Sequence, residues 1–270
     1  MTRAASSFYA SPAVILADSL TVFWRDWLDL RARIVQVLAS GLVAPLIYIV
    51  AFGVGLGSSL KATAIGSGDA GESYLQFILP GMVALSSMTI SFAGTTFSIC
   101  GARLFNKSFE EILILPVHPL SLHIGKMLSG IARGLITSLG VLTIGVLFTQ
   151  SWGLLHPLAL LILVLNCAVF AGVGVIAGLN VPTLESVGVA TNFLITPMSF
   201  LGATFFDPAQ LPGFMQILVY CLPLSYASIG IRAAAFGPIA QFPWYTLAVL
   251  LILAAGLTVW GAYQFSHQQD

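Results

Sequence analysis

The segment LALLILVLNCAVFAGVGVIAGL, residues 158 to 179, contains no Asp, Glu, Lys or Arg. A helix needs roughly 20 apolar residues to cross the hydrocarbon of a bilayer, so this segment reads as a membrane span. Comparable blocks run from Ile34 to Leu56, from about Tyr74 to Cys100, from about Ile124 to Phe148 and from Trp244 to Tyr263. Another starts near Val187 and is interrupted by Pro197. Composition agrees: 58% of the 270 residues are hydrophobic and only 7% are charged, where a soluble domain carries about 25% charged residues. The expected fold is an all-α polytopic membrane protein with six transmembrane helices.

Two segments depart from simple spans. Leu16, Leu20, Phe23, Trp27 and Leu30 repeat at three and four residues, as one apolar face of a helix does, and Asp18, Arg25, Asp29 and Arg33 fall roughly opposite. Residues 1–33 are therefore expected to form a cytoplasmic N terminus and an amphipathic helix in the headgroup plane, with Trp24 and Trp27 at its boundary. From Phe205 to Arg232, prolines 208, 212 and 223 leave an apolar run too short to cross. Residues 205–232 read as an outer re-entrant hairpin, shielded by protein or lining a wet cavity. The membrane domain is then 34–263, followed by a polar tail, 264–270. With both ends inside, Arg3, Arg25, Arg31, Arg33, Arg103, Lys107 and Lys126 lie on the cytoplasmic side and Lys61 and Arg232 outside, the asymmetry that sets topology.

Several chemistries are excluded. The formal net charge is zero and no basic block marks a nucleic-acid groove. Cys100, Cys167 and Cys221 are isolated, which fits neither a disulfide framework nor metal spacing. Gly53, Gly55 and Gly57 close a span instead of opening a nucleotide-binding helix, and Gly125-Lys126 lacks the opening glycine of a phosphate loop, that position being Leu120. His118 and His123 are five apart across Pro119 and do not share a helix face. With no catalytic constellation either, the chain is expected to be no enzyme and to hold no metal or cofactor of its own.

What stands out is sparse. Gly130, Gly134 and Ser138 recur every four residues, as do Gly174 and Gly178, a spacing that lets membrane helices approach closely. Arg133 falls inside the third span, where a charge is costly unless it snorkels, pairs or faces water. It is a candidate intramembrane gate, a snorkelling side chain or a misplaced boundary, with Glu185 as a partner only if the following loop folds back. Residues 101–123 concentrate Arg103, Lys107, Glu110 and Glu111 around Phe105, Phe109, Ile112 and Leu113, with Lys126 just beyond. That apolar surface favours docking on a membrane or a partner protein. Phe205, Phe206, Phe214, Tyr220 and Tyr226 gather in the outer hairpin, as vestibule lining or as interfacial anchors.

The stretch GARLFNKSFEEILILPVHP from Gly101, followed by His123-Ile-Gly-Lys-Met, resembles the cytoplasmic connection of type-2 ABC exporter permeases. Tyr74-Leu-Gln-Phe-Ile-Leu-Pro-Gly-Met and Phe200-Leu-Gly-Ala-Thr-Phe-Phe-Asp-Pro-Ala-Gln-Leu-Pro resemble the same family. Within it the likeness is greatest to bacterial inner-membrane permeases of the YadH kind. The resemblance implies a permease subunit of an ATP-driven exporter in the bacterial inner membrane, with both termini cytoplasmic. It also implies a second copy of the chain and two separate ABC ATPase subunits that bind ATP and Mg. Carried onto this sequence, it puts Glu110, Glu111, Pro116, Gly125 and Lys126 in the coupling and gate region. An amphipathic or lipid-linked cargo fits the weakly charged interior, membrane lipids are the other partner, and a non-transporting recruitment or channel-like module is the rival reading.

Overall fold

The computed structural model describes residues 11–51, 70–104 and 117–269. Among them every regular element is helical: α1 Pro12–Ala32, α2 Ile34–Val50, α3 Ala70–Leu104, α4 Pro119–Thr149, α5 Pro157–Asn180, α6 Leu184–Ala190, α7 Thr196–Leu201, α8 Gly213–Tyr220, α9 Pro223–Phe236 and α10 Trp244–Gln269. Proline opens four of these at the first turn, Pro12, Pro119, Pro157 and Pro223, where its missing N–H costs nothing. His118 and His156 precede two of them, and each Nδ1 accepts from the backbone N–H two residues on, at 3.2 and 3.3 Å.

Four helices, α3, α4, α5 and α10, are long and apolar enough to cross a membrane, and the number rises to six if each of two bent pairs counts as one span. The first pair is α1 and α2, which meet at 74°. Arg33 leaves the helical region there, at φ −117° and ψ 16°, so α1 turns aside from the direction of α2 as an interfacial helix must. The second is α8 and α9, bent by 91°, the hairpin expected from the prolines. The segment expected as a span from Val187 is broken into α6, a π turn at Thr191–Ile195 and α7, and it is not among the helices long and apolar enough to cross. Pro197 has no N–H to continue the ladder, and the wider π turn precedes it.

In the most apolar window of α3 and of α5, 67% of residues are buried within the chain, against 22% for α10. Helices α3 and α5 therefore form the centre, and α10 turns most of its surface outward. The glycine spacing seen in the sequence has α3 as its partner. A side chain at Gly134 would meet Ser91 and Cys167, and one at Gly174 would meet the Phe92 carbonyl at 2.7 Å. Close approach lets polar groups bond across helices: Asn166 donates to Ala84 O at 3.0 Å and Ser87 Oγ at 2.7 Å, and Thr96 Oγ1 donates to Gly174 O at 3.1 Å.

Helix α1, the C-terminal end of α3 and the start of α4 lie at one end of the bundle. The last turns of α10 lie there too, since Gly261 abuts His123 and Asn180 donates to Gln264 at 2.8 Å. The hairpin caps the opposite end, where Tyr74 Oη reaches Phe205 O at 3.4 Å.

The sequence reading of α1 needs correction. Leu16, Leu20, Trp24 and Leu28 are its exposed stripe, while Ser19, Asp26 and Leu30 are buried against the bundle. Phe23 and Trp27 are half-buried between them. Helix period identifies which residues are alike, but beside lipid the apolar face turns outward and a polar seam can face protein.

If the close approach at α3 holds the bundle, Gly134→Leu forces overpacking worth about 1–3 kcal/mol. Its thermal unfolding midpoint in detergent falls, whereas Gly256→Leu, which meets nothing within 4 Å, leaves the midpoint unchanged.

Candidate functional site

Lys126 lies near the start of α4, eight residues into the helix that opens at Pro119. Its side chain and that of Asp26 on α1 are each 6% exposed. The ammonium donates to Asp26 Oδ2 at 2.7 Å, to Oδ1 at 3.1 Å and to Ser98 Oγ of α3 at 3.3 Å. Arg25 adds a contact to Asp26 Oδ1 at 3.2 Å. A lysine at this depth is tolerated only beside a counter-charge, and α1 supplies it. One residue earlier, Gly125 lets α1 cross: a side chain there would meet Val22 Cβ at 2.6 Å and Ser19 O at 2.9 Å. The pair and the crossing fix α1 to the beginning of α4 at two adjacent positions.

Arg133 lies in the middle of α4, fourteen residues after Pro119. Its Nη1 donates to Gly94 O at 3.0 Å, while its buried Nε has no acceptor among the described residues. Glu185 is exposed at the start of α6 and is not its partner. Arg133 instead lines a cavity of about 490 Å³ enclosed by α1, α2, α3 and α4, shared with Arg25, Asp26, Asp29, Arg33, Phe97, Ser98 and Lys126.

Arg103 has another part. Its Nη1 donates to Gly178 O at 2.9 Å, Leu179 O at 2.6 Å and Val181 O at 3.3 Å, satisfying carbonyls at the end of α5 that the helix leaves unpaired. Lys107, Glu110, Glu111 and Pro116, with Phe105, Phe109, Ile112 and Leu113, lie outside the described residues.

The hairpin aromatics do not form one surface. Phe205 packs edge-on to Tyr48 at 5.6 Å, and Tyr226 donates to Tyr220 O at 2.7 Å and faces Tyr245 at 6.2 Å. Phe206 is half-buried and Phe214 is exposed. The hairpin is pinned by Arg232, counted from sequence only as an outside charge. Its guanidinium stacks 3.8 Å from the centroid of Phe77 and donates to Phe77 O at 3.1 Å and Ala203 O at 3.0 Å.

A third feature lies at mid-depth. Ser40, Ser86, Thr89, Thr191, Thr196 and Ser199 line a groove of about 240 Å³ between α2, α3 and the broken α6–α7 segment. Ser86 and Thr89 donate to their own helix at 2.9 Å, and Thr191 does so at 2.8 Å, which leaves oxygen lone pairs as the polar lining.

Sequence reasoning missed Asp26, Ser98 and Arg232. A signal for Asp26 existed: Ser19, Val22, Asp26 and Leu30 are spaced three or four apart, and a lysine seven residues beyond Pro119 requires an acid.

Removing one member of the pair, by Asp26→Asn or Lys126→Met, leaves the other charge buried and costs about 3–5 kcal/mol, whereas replacing both by apolar residues is close to neutral. Thermal unfolding in detergent is expected to rank each single substitution well below Asp26→Leu/Lys126→Met.

Residues 14–236 match the family model described as ABC-2 type transporter. The chain is 31% identical to the inner membrane transport permease YadH of Escherichia coli K12 over 93% of both chains. It is 29% identical to nodulation protein J of Rhizobium meliloti over 81% of both, and 26% identical to that of Rhizobium leguminosarum bv. viciae over 82% of this chain and 84% of the relative. With the helical bundle, the bent pairs and a match along most of its length, the chain belongs to the ABC-2 type transporter family of membrane permeases.

Proposed function

We propose that this chain is the permease half of an ATP-driven exporter in the inner membrane of a bacterium. Two copies enclose the route, and two separate ABC ATPase subunits bind ATP and Mg and supply the stroke. The observation that carries this reading is the Asp26–Lys126 pair. It fixes α1 to the first turns of α4, the helix that opens at Pro119 within the charged connection of residues 101–123. A displacement delivered to the connection then moves α1 and α4 as one body. The end bearing α1 and the last turn of α10 is the cytoplasmic one, in keeping with the excess of basic residues assigned to it.

The mid-depth groove supports an amphipathic or lipid-linked cargo, because hydroxyl acceptors there stand beside Ala44, Pro45, Leu85 and Ile90. In this reading Glu110 and Glu111 engage the ATPase, and Lys107 and Pro116 shape the connection.

The chain should co-purify with an ABC ATPase at equal subunit number. A charge left unpaired in a desolvated interface costs about 2–5 kcal/mol, an exposed pair about 0.2–1 kcal/mol. Glu110→Gln/Glu111→Gln is therefore expected to lower cargo-stimulated ATP turnover by about tenfold or more while membrane insertion stays normal. Normal recruitment together with normal stimulated turnover would sink the coupling role.

A further inference from the structure

The cavity beneath α1 is unbalanced in charge. Among the described residues four cations line it, Arg25, Arg33, Lys126 and Arg133, against two carboxylates, Asp26 and Asp29. Lys126 and Arg25 satisfy Asp26, and Arg33 approaches Asp29 at 3.6 Å. Arg133 remains, at membrane depth, with one backbone carbonyl as acceptor, a buried Nε that has none among the described residues, and open space in front of it. A guanidinium in that position calls for an anion, and its planar fork suits phosphate oxygens.

The surroundings say where the phosphate comes from. Arg25, Asp29 and Arg33 are exposed at the mouth, Lys126 is buried at the floor, and Phe97, 49% exposed, borders the cavity on its apolar side. Above it, α1 turns Leu16, Leu20, Trp24 and Leu28 outward at the same end of the bundle. A polar hollow of about 490 Å³ with apolar flanks at a helix-bundle end is the setting in which basic pockets hold lipid headgroups, and its size is that of a small-molecule site.

We propose that this cavity binds the phosphate of a lipid headgroup from the leaflet on the α1 side, with Arg133 at its floor and Arg25 and Arg33 at its mouth, while Lys126 stays engaged with Asp26 and Ser98. The site does not depend on the direction of transport or on the identity of the cargo. An occupied headgroup completes the acceptors of Arg133 and ties α1 and α2 to α3 and α4 across the 74° bend.

Native mass spectrometry of the purified chain in phosphate-free detergent tests it, with phosphatidic acid, diacylglycerol of the same acyl chains and inorganic phosphate as probes. Phosphatidic acid is expected to form a one-to-one adduct that diacylglycerol does not. Arg133→Gln weakens the adduct about tenfold or more, as loss of a charge-assisted hydrogen bond does. Arg33→Gln, at an exposed position, weakens it about twofold to fivefold. Should Arg133→Gln fail to fold, Arg33→Gln and Arg25→Gln decide the matter. Equal binding of diacylglycerol, or an adduct unchanged in the arginine variants, overturns the proposal. Retention of inorganic phosphate with no lipid adduct assigns the arginines to a free anion and overturns the lipid source.

Discussion

A lysine ammonium enters the apolar part of α4 at Lys126 and can be held there only by a carboxylate from another element. Asp26 on α1 meets it with both oxygens, at 2.7 and 3.1 Å. Much of the arrangement at that end follows. Helix α1 must lie across α4 with its polar seam inward, so its leucines and Trp24 turn toward lipid. The bend at Arg33 is where the chain leaves this crossing to begin α2. The cavity that collects Arg25, Arg33 and Arg133 is the space that α1 roofs over while its carboxylate is engaged with α4. Replacing the pair by apolar residues could preserve stability, so the pair is better understood as specifying where α1 sits than as a large stabilising term.

The opposite end is held by different means. Arg232 stacks on Phe77 and bonds two carbonyls, one on α3 and one in the turn at Ala203, where the backbone is left-handed at φ 55°. Between the ends, α3 is wrapped by α4 and α5 at distances only glycine permits. The bundle therefore has a rigid centre, an interfacial helix clamped by charge at one end and a hairpin pinned by one arginine at the other.

Four spans were legible because run length alone identifies them: residues 158 to 179 need no knowledge of neighbours. The hairpin was legible from Pro208, Pro212 and Pro223, and α1 from its spacing of three and four. The orientation of α1 was legible only in part: Leu16 and Leu20 are exposed as expected of an interfacial helix, but Leu30, which period groups with them, is buried with Asp26 against the bundle. Lys126 was placed at the start of the third span, but its burial and its partner were not legible, because the partner lies 100 residues away. The glycine spacing of α4 was visible, but its partner α3 is a tertiary fact. Arg133 was flagged correctly as a cost to be explained, and its surroundings, one carbonyl and a polar cavity, required the fold. The roles proposed for Glu110 and Glu111 rest on family likeness, and both residues lie outside the described ones.

The claim that α1 and α4 move as one body is tested most directly by the distance between spin labels at Thr21 on α1 and Thr143 on α4, both exposed positions. It should be measured by pulsed electron resonance in the assembled transporter, with the ATPase subunits empty and then trapped with ATP and Mg. The account predicts one narrow distance distribution, unchanged between the two states. A shift of several ångströms, or a second population on trapping, would show that α1 slides on α4 and would contradict it.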